Sequence, residues 1–119
     1  MTIKDNLTED FLLGINEIEN ILLQIGFHPY SFEKKGLAYF IQYKNEENIV
    51  EFFLGPSDWD IEMIIYTAKG KFAFRDLLQI PSIAIWVNGN RYRQESVRDI
   101  KKELLWFVEL LKVSLKCIA

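Results

Sequence analysis

The sequence predicts an α+β fold: an N-terminal helix, an antiparallel meander of three to four strands, then short helices and a long C-terminal helix packed on one face of the sheet. Three observations lead there. Apolar residues recur at helical steps near both ends of the chain, and runs rich in aromatic and β-branched residues fill its middle. Half of the 119 positions are hydrophobic, with nine Phe, five Tyr and three Trp, enough for one core and too little chain for two ordinary domains. Residues 1–119 are therefore read as a single domain.

The first helix is expected over residues 8–25. Phe11, Ile15, Ile18, Leu22 and Ile25 form one stripe, widened by Leu12 and Leu23. Asn6 with Glu9 three residues on, or Thr8 itself, offers a cap, and Gly26 offers a stop. Residues 27–36 read as a loop held by Pro29 and closed by Gly36.

Strands are expected at LAYFIQY (37–43), NIVEFFL (48–54) and IEMIIYT (61–67), with KNEE (44–47) as the first hairpin loop. Closing each loop places Tyr39 opposite Phe52, Ile41 opposite Val50, Phe52 opposite Met63 and Val50 opposite Ile65. One face then carries Leu37, Tyr39, Ile41, Tyr43, Val50, Phe52, Leu54, Ile61, Met63 and Ile65, which makes it the core face. The other carries Phe40, Phe53, Ile64 and Tyr66 beside Glu51 and Glu62, an uncommon mixture for a solvated face. A fourth run, KFAF (71–74), follows the turn at Lys69-Gly70. A two-residue turn would send Phe72 and Phe74 to the core, a three-residue turn to the second face.

RDLLQ (75–79) reads as a short helical turn ended by Pro81. Pro81 suits the first position of a further short helix through SIAIWVN to Gly89, although Ile83, Ile85 and Val87 also alternate as in a strand. The last helix is expected from about Gln94 to Cys117, with Val97, Ile100, Leu104, Val108, Leu111, Leu115 and Ile118 as its stripe. Eight of the ten residues from Leu104 to Val113 are apolar, so that stretch is expected to be buried on more than one side.

Charge is uneven along the chain, although the net value is only -3. Residues 1–63 hold four Lys against twelve acids, and residues 64–119 hold ten basic residues against five acids. Either the imbalance steers a charged partner, or the acidic first helix sits beside the basic last one and offsets it. Residues 1–10 are polar and acidic, unlike a signal peptide. No apolar run approaches the roughly 20 residues that span a bilayer. Cys117 is the one cysteine and cannot form an internal disulfide, so a cytoplasmic, non-membrane protein is expected.

Chemistry is sparse. His28, the one histidine, stands beside Pro29 without a Ser or Cys motif, and Cys117 reads as a packed residue. The glycines form no phosphate-cradling series. Arg91, Tyr92, Arg93, Arg98, Lys101 and Lys102 make a basic stretch that interleaved Glu95, Asp99 and Glu103 blunt, so no nucleic-acid partner is expected. No catalytic residue, metal or cofactor is assigned, and the chain is not expected to be an enzyme.

The stretch GPSDWDIEMII (55–65) gathers Asp58, Asp60 and Glu62 around Trp59. Alternating carboxylates share a face in extended chain and suit hard cations, yet Gly-Pro-Ser-Asp is also ordinary turn chemistry. A third reading makes the stretch part of a protein-binding surface. The residues assigned to that surface are Glu51, Asp58, Trp59, Asp60, Glu62 and Tyr66: acids suited to a basic partner, around aromatic anchors.

The order of elements, with VEFFLGPSDWDIEMII, FRDLLQIPSIAIWVNGNRY and IKKELLWFVELLK, resembles the small single-domain immunity proteins encoded beside bacterial polymorphic toxins. The likeness covers about residues 11–115. It implies a cytoplasmic, non-enzymatic inhibitor that binds a cognate toxin domain, often a basic nuclease, and blocks it. The alternative expectation is a small homodimeric regulatory or ligand-binding domain.

Overall fold

A computed structural model of the chain describes residues 3–55, 59–92 and 98–118. Nine elements follow in order: α1 (Ile3–Gln24), β1 (His28–Lys35), β2 (Ala38–Lys44), β3 (Ile49–Leu54), β4 (Ile61–Thr67), β5 (Gly70–Phe72), α2 (Phe74–Leu77), α3 (Pro81–Gly89) and α4 (Ile100–Ile118). The strands make one antiparallel sheet in the order β1-β2-β3-β4-β5. The α+β class and the order of elements are as the sequence predicts, with one strand more.

That strand is β1, which replaces the loop expected at 27–36. Proline in its second position argues against a central strand, but β1 lies on the sheet edge and a register irregularity between Pro29 and Ser31 absorbs the missing N–H. Gly36, at φ 62°, turns the chain directly into β2 with Lys35 opposite Ala38. Leu37 sits at this turn and is exposed, so it leaves the core face assigned to it.

The hairpin between β2 and β3 also differs. Its loop is Asn45–Asn48, because the Asn45 side chain accepts hydrogen bonds from the Glu47 and Asn48 N–H groups and its own N–H meets the Asn48 carbonyl. Ile41 therefore faces Phe52 and Tyr43 faces Val50, where KNEE as the loop would place Ile41 against Val50. Moving a loop by one residue shifts the pairing by two, so every side chain keeps its face. The β3–β4 register is as expected, with Phe52 opposite Met63 and Val50 opposite Ile65. Thr67 pairs with Gly70, a two-residue turn that puts Phe72 opposite Ile65 on the core side, whereas Phe74 starts α2 and is exposed.

Helix α1 begins at Ile3, so the expected caps at Asn6 and Thr8 fall inside it. Its apolar stripe runs back four residues from Phe11 to Leu7, which packs against the core and gives the added turn a reason to form. Its end is as expected: Gly26 takes φ 92°, and the Phe27 and Gly26 N–H groups bond to the Leu22 and Leu23 carbonyls at 2.9 and 3.1 Å. Residues 82–88 are helical, with Pro81 at the start of α3. Helix α4 starts at Ile100, where Asp99 caps it by accepting the Lys102 N–H at 3.1 Å, and the start expected near Gln94 lies outside the described residues. Val97 lies outside the described residues.

Burial gathers the α1 stripe, the inward residues of β2–β4, Leu77, Ile83 and the α4 stripe into one apolar cluster. Helices α1 and α4 approach closely at Gly14, where a Cβ would lie 2.6 Å from Leu104 Cδ1. Lys101 pairs with Glu17 across this contact at 2.6 Å, so acidic α1 and basic α4 do sit side by side. Residues 104–113 are buried on several sides, as expected. Cys117 is exposed, contrary to its reading as a packed residue; its Sγ lies 3.2 Å from Ser82 Oγ.

Candidate functional site

The helices share the core cluster with the first face of the sheet, and the apolar residues of the second face stand apart from it. Phe40, Ile49, Phe53 and Ile64 are half-buried and stand outside the core cluster. Phe40 and Phe53, opposite each other on β2 and β3, stack with centroids 4.8 Å apart. The Phe53 ring also lies over Gly55, where a Cβ would come within 2.5 Å of it, so Gly55 leaves room for that ring.

Glu51 sits in the middle of this face and is only 8% exposed. A buried carboxylate needs hydrogen bonds. Gln42, its neighbour on β2, donates Nε2 to Glu51 Oε1 at 2.9 Å. From β4, the Tyr66 phenol interacts with the same carboxylate. Burial pushes the Tyr66 phenol above its ordinary range, and the Glu51 charge and hydrogen bond raise it further. The Lys71 ammonium sits 6.0 Å over the Tyr66 ring, and the Lys35 ammonium lies 5.5 Å from the Phe40 ring while pairing with Glu33. The result is an aromatic floor around a fixed carboxylate, with Glu62 exposed beside it.

Of the six residues assigned from sequence, Glu51, Glu62 and Tyr66 share this face. Asp58 lies outside the described residues. Trp59 takes φ 57°, a left-handed conformation that an L-residue adopts at a cost of about 1–3 kcal/mol. The backbone is therefore not extended through this stretch, so simple alternation does not hold. Trp59 is half-buried against the core instead of presented as an anchor, and its carbonyl accepts from Arg98 Nη1 at 2.6 Å. Arg98 also clasps Glu103 through two bonds of 2.6 and 3.0 Å, and this hydrogen bonding holds its guanidinium pKa high. The basic stretch is thus partly spent on structure. Among the described residues no three His, Cys, Asp or Glu side chains gather to hold a metal ion.

Asp60 is exposed and turns toward a different feature. A cleft of about 350 Å³ runs beside β4 and is lined by Asp60, Glu62, Phe74, Tyr92, Trp106 and Phe107, with Glu103 at its margin. Sequence reasoning missed it, because its wall comes from three distant segments. The available signal was Trp106-Phe107, two large aromatics off the core stripe of α4. His28 is exposed at the start of β1, away from both features. No helix among the described residues is long and apolar enough to cross a membrane. Compared with protein families, curated proteins and solved structures, the chain matches none.

Proposed function

We propose that this chain is a non-catalytic protein-binding module, an immunity protein that occludes a basic toxin domain in the cytoplasm. The observation that carries the reading is the uncovered sheet face, on which Phe40, Phe53, Ile64 and Tyr66 surround Glu51. Aromatic groups supply most of the energy of an interface when water is excluded around them. A carboxylate already held by Gln42 and Tyr66 needs little reordering to receive a basic side chain. Glu62 extends the acidic character to the rim. The partner would therefore be a domain with a cationic, substrate-binding surface, and neutralisation would follow from covering it.

Coexpression with the product of the immediately neighbouring gene tests this. Supporting results are an equimolar complex and protection of cells from that product. A neighbour that is harmless, or that does not copurify, sinks the inhibitor reading. Reversing charge at Asp58 and Asp60 to Lys tests the loop separately, and unchanged affinity would remove it from the interface.

A second reading, a homodimeric regulatory or ligand-binding domain, draws on β1. This eight-residue edge strand exposes Tyr30 and Phe32, the latter 59% accessible. Edges of this kind pair with further strands unless guarded, and Pro29 with the irregularity beside it, Glu33, Lys34 and Lys35 are the guards here. Sedimentation that reports a monomer at every concentration would exclude that reading.

A further inference from the structure

The second face of the sheet carries a charge balance that its residue types alone do not show. Glu33, Lys35, Glu62 and Lys71 stand around Glu51. Lys35 pairs with Glu33 at 3.3 Å, so these two offset each other. Glu51 is met by two neutral groups, the Gln42 amide and the Tyr66 phenol. Among the described residues no cation forms an ion pair with Glu51 or with Glu62. The Lys71 ammonium lies instead over the Tyr66 ring. One cation thus stands near two carboxylates, and the face keeps a negative charge that nothing in the described chain answers.

The register says where an outside cation would sit. Glu51 pairs with Ile64 and Phe53 pairs with Glu62, so the four side chains form a square with the carboxylates on one diagonal. A diagonal of this kind spans about 7–8 Å. Charge-assisted bonds are about 2.7–2.9 Å long, so a single ammonium nitrogen meets both acids only if they are drawn together, whereas a guanidinium donates from separate edges of a plane. The other diagonal offers that plane a surface: Ile64, and the Phe53 ring stacked on Phe40 at 4.8 Å. Burial favours the same group. At 8% exposure Glu51 has already lost most of its water in the free chain, so an arriving cation removes little more from it. A guanidinium is also more weakly hydrated than an ammonium.

We propose that this square is the seat of an arginine from the partner protein, its guanidinium bridging Glu51 and Glu62 over Phe53 and its methylene stem lying across Ile64. The inference rests on the reading of this face as a protein-binding surface and names the side chain that the face selects. Lys71 is then an internal competitor, near enough to screen the two acids in the free chain.

The test is titration of the isotope-labelled chain with Gly-Arg-Gly, Gly-Lys-Gly and Gly-citrulline-Gly, all with blocked termini, and with free L-arginine. The expected result for the arginine peptide is saturable shifts at Glu51, Phe53 and Ile64. The lysine peptide should bind about threefold or more weakly, for want of a plane to stack, and citrulline, planar but uncharged, should not bind. Glu51→Gln, which keeps an acceptor for Gln42, and Glu62→Gln, on an exposed side chain, should each weaken arginine binding, and Lys71→Gln should tighten it. The proposal is overturned if the arginine peptide gives no saturable shifts, if the lysine or citrulline peptide binds equally well, if free arginine binds more tightly than the peptide, or if both Gln variants keep the parent affinity. An equimolar toxin complex formed by a chain that does not bind the arginine peptide would retain the inhibitor reading and discard the arginine seat; arginine binding without a toxin complex would do the reverse.

Discussion

The two faces of the sheet differ less in residue type than in what covers them. Phe52 and Phe53 are neighbours in sequence, both aromatic and both central. Phe52 is fully buried beneath the helices, whereas Phe53 lies half-buried on an open face against Phe40. Each face also holds a tyrosine against a glutamate: Tyr43 with Glu19 on the covered side, Tyr66 with Glu51 on the open one. The lesson is that apolar content alone does not mark a core. The covered face joins the stripes of α1 and α4 in one cluster, and the open face keeps its apolar groups available to something outside the described chain.

The largest expected contrast is between Phe52→Ala and Phe53→Ala. The first leaves a core cavity and should cost about 3–5 kcal/mol in denaturant unfolding. The second removes mainly the stacked pair and should cost about 1 kcal/mol. Equal losses would show that the open face is as structural as the core.

The tyrosines sharpen the comparison through pH. Burial first, then the charge and hydrogen bond of Glu19, push Tyr43 from 10.0 up to about 12. The folded state thus keeps a proton that the unfolded chain gives up. The stabilisation is fully present below pH 10.0 and is lost as pH rises through about 12. At about 1.4 kcal/mol per unit, the loss is on the order of 2–3 kcal/mol. Urea unfolding between pH 9 and 12 should show this fall in the parent and a flatter profile in Tyr43→Phe. Tyr66→Phe should change the profile less, because its ring is more exposed. Identical profiles for the two variants would break the distinction between the faces.

The helix layer over the covered face supplies a third test. Gly14→Val drives a branched side chain into Leu104 and should destabilise by about 1–3 kcal/mol through overpacking. Leu104→Ala in the same chain should recover part of that loss, beyond what the two single changes predict when added. Strict additivity would mean the α1–α4 contact is not tight. An effect of similar size, about 1–3 kcal/mol, is expected for Glu51→Leu, because it leaves the half-buried Gln42 amide without its acceptor. Partner binding should also fall sharply with that change.

Much of this division was legible from sequence. The inward residues of β3 and β4, their register, the Gly26 stop and the Pro81 helix start all follow from local rules that tertiary context left intact. Strand β1 was not legible, because Pro29 reads as loop until its place on an edge is known. The NEEN loop could not be told from KNEE, since either bounds the same alternation and only the Asn45 side-chain bonds choose between them. The shared face of Glu51, Glu62 and Tyr66 follows from alternation alone. Trp59 was misplaced because a left-handed residue breaks the extended pattern from which its neighbours' directions were read. The cleft needed Tyr92, Phe74 and Trp106 brought together from far apart, which no local period announces.

The central claim is that the open face is where a partner binds. The most direct measurement is titration of the copurified partner with two surface variants of this chain. One carries Glu62→Lys with Tyr66→Lys on the open face. The other carries Leu13→Lys with Ile85→Lys, two exposed apolar positions on α1 and α3. The account predicts a loss of about 30-fold or more for the first, the ~2 kcal/mol of an interface hot spot, and an unchanged Kd for the second. A complex that tolerates the first pair, or is lost with the second, would contradict it.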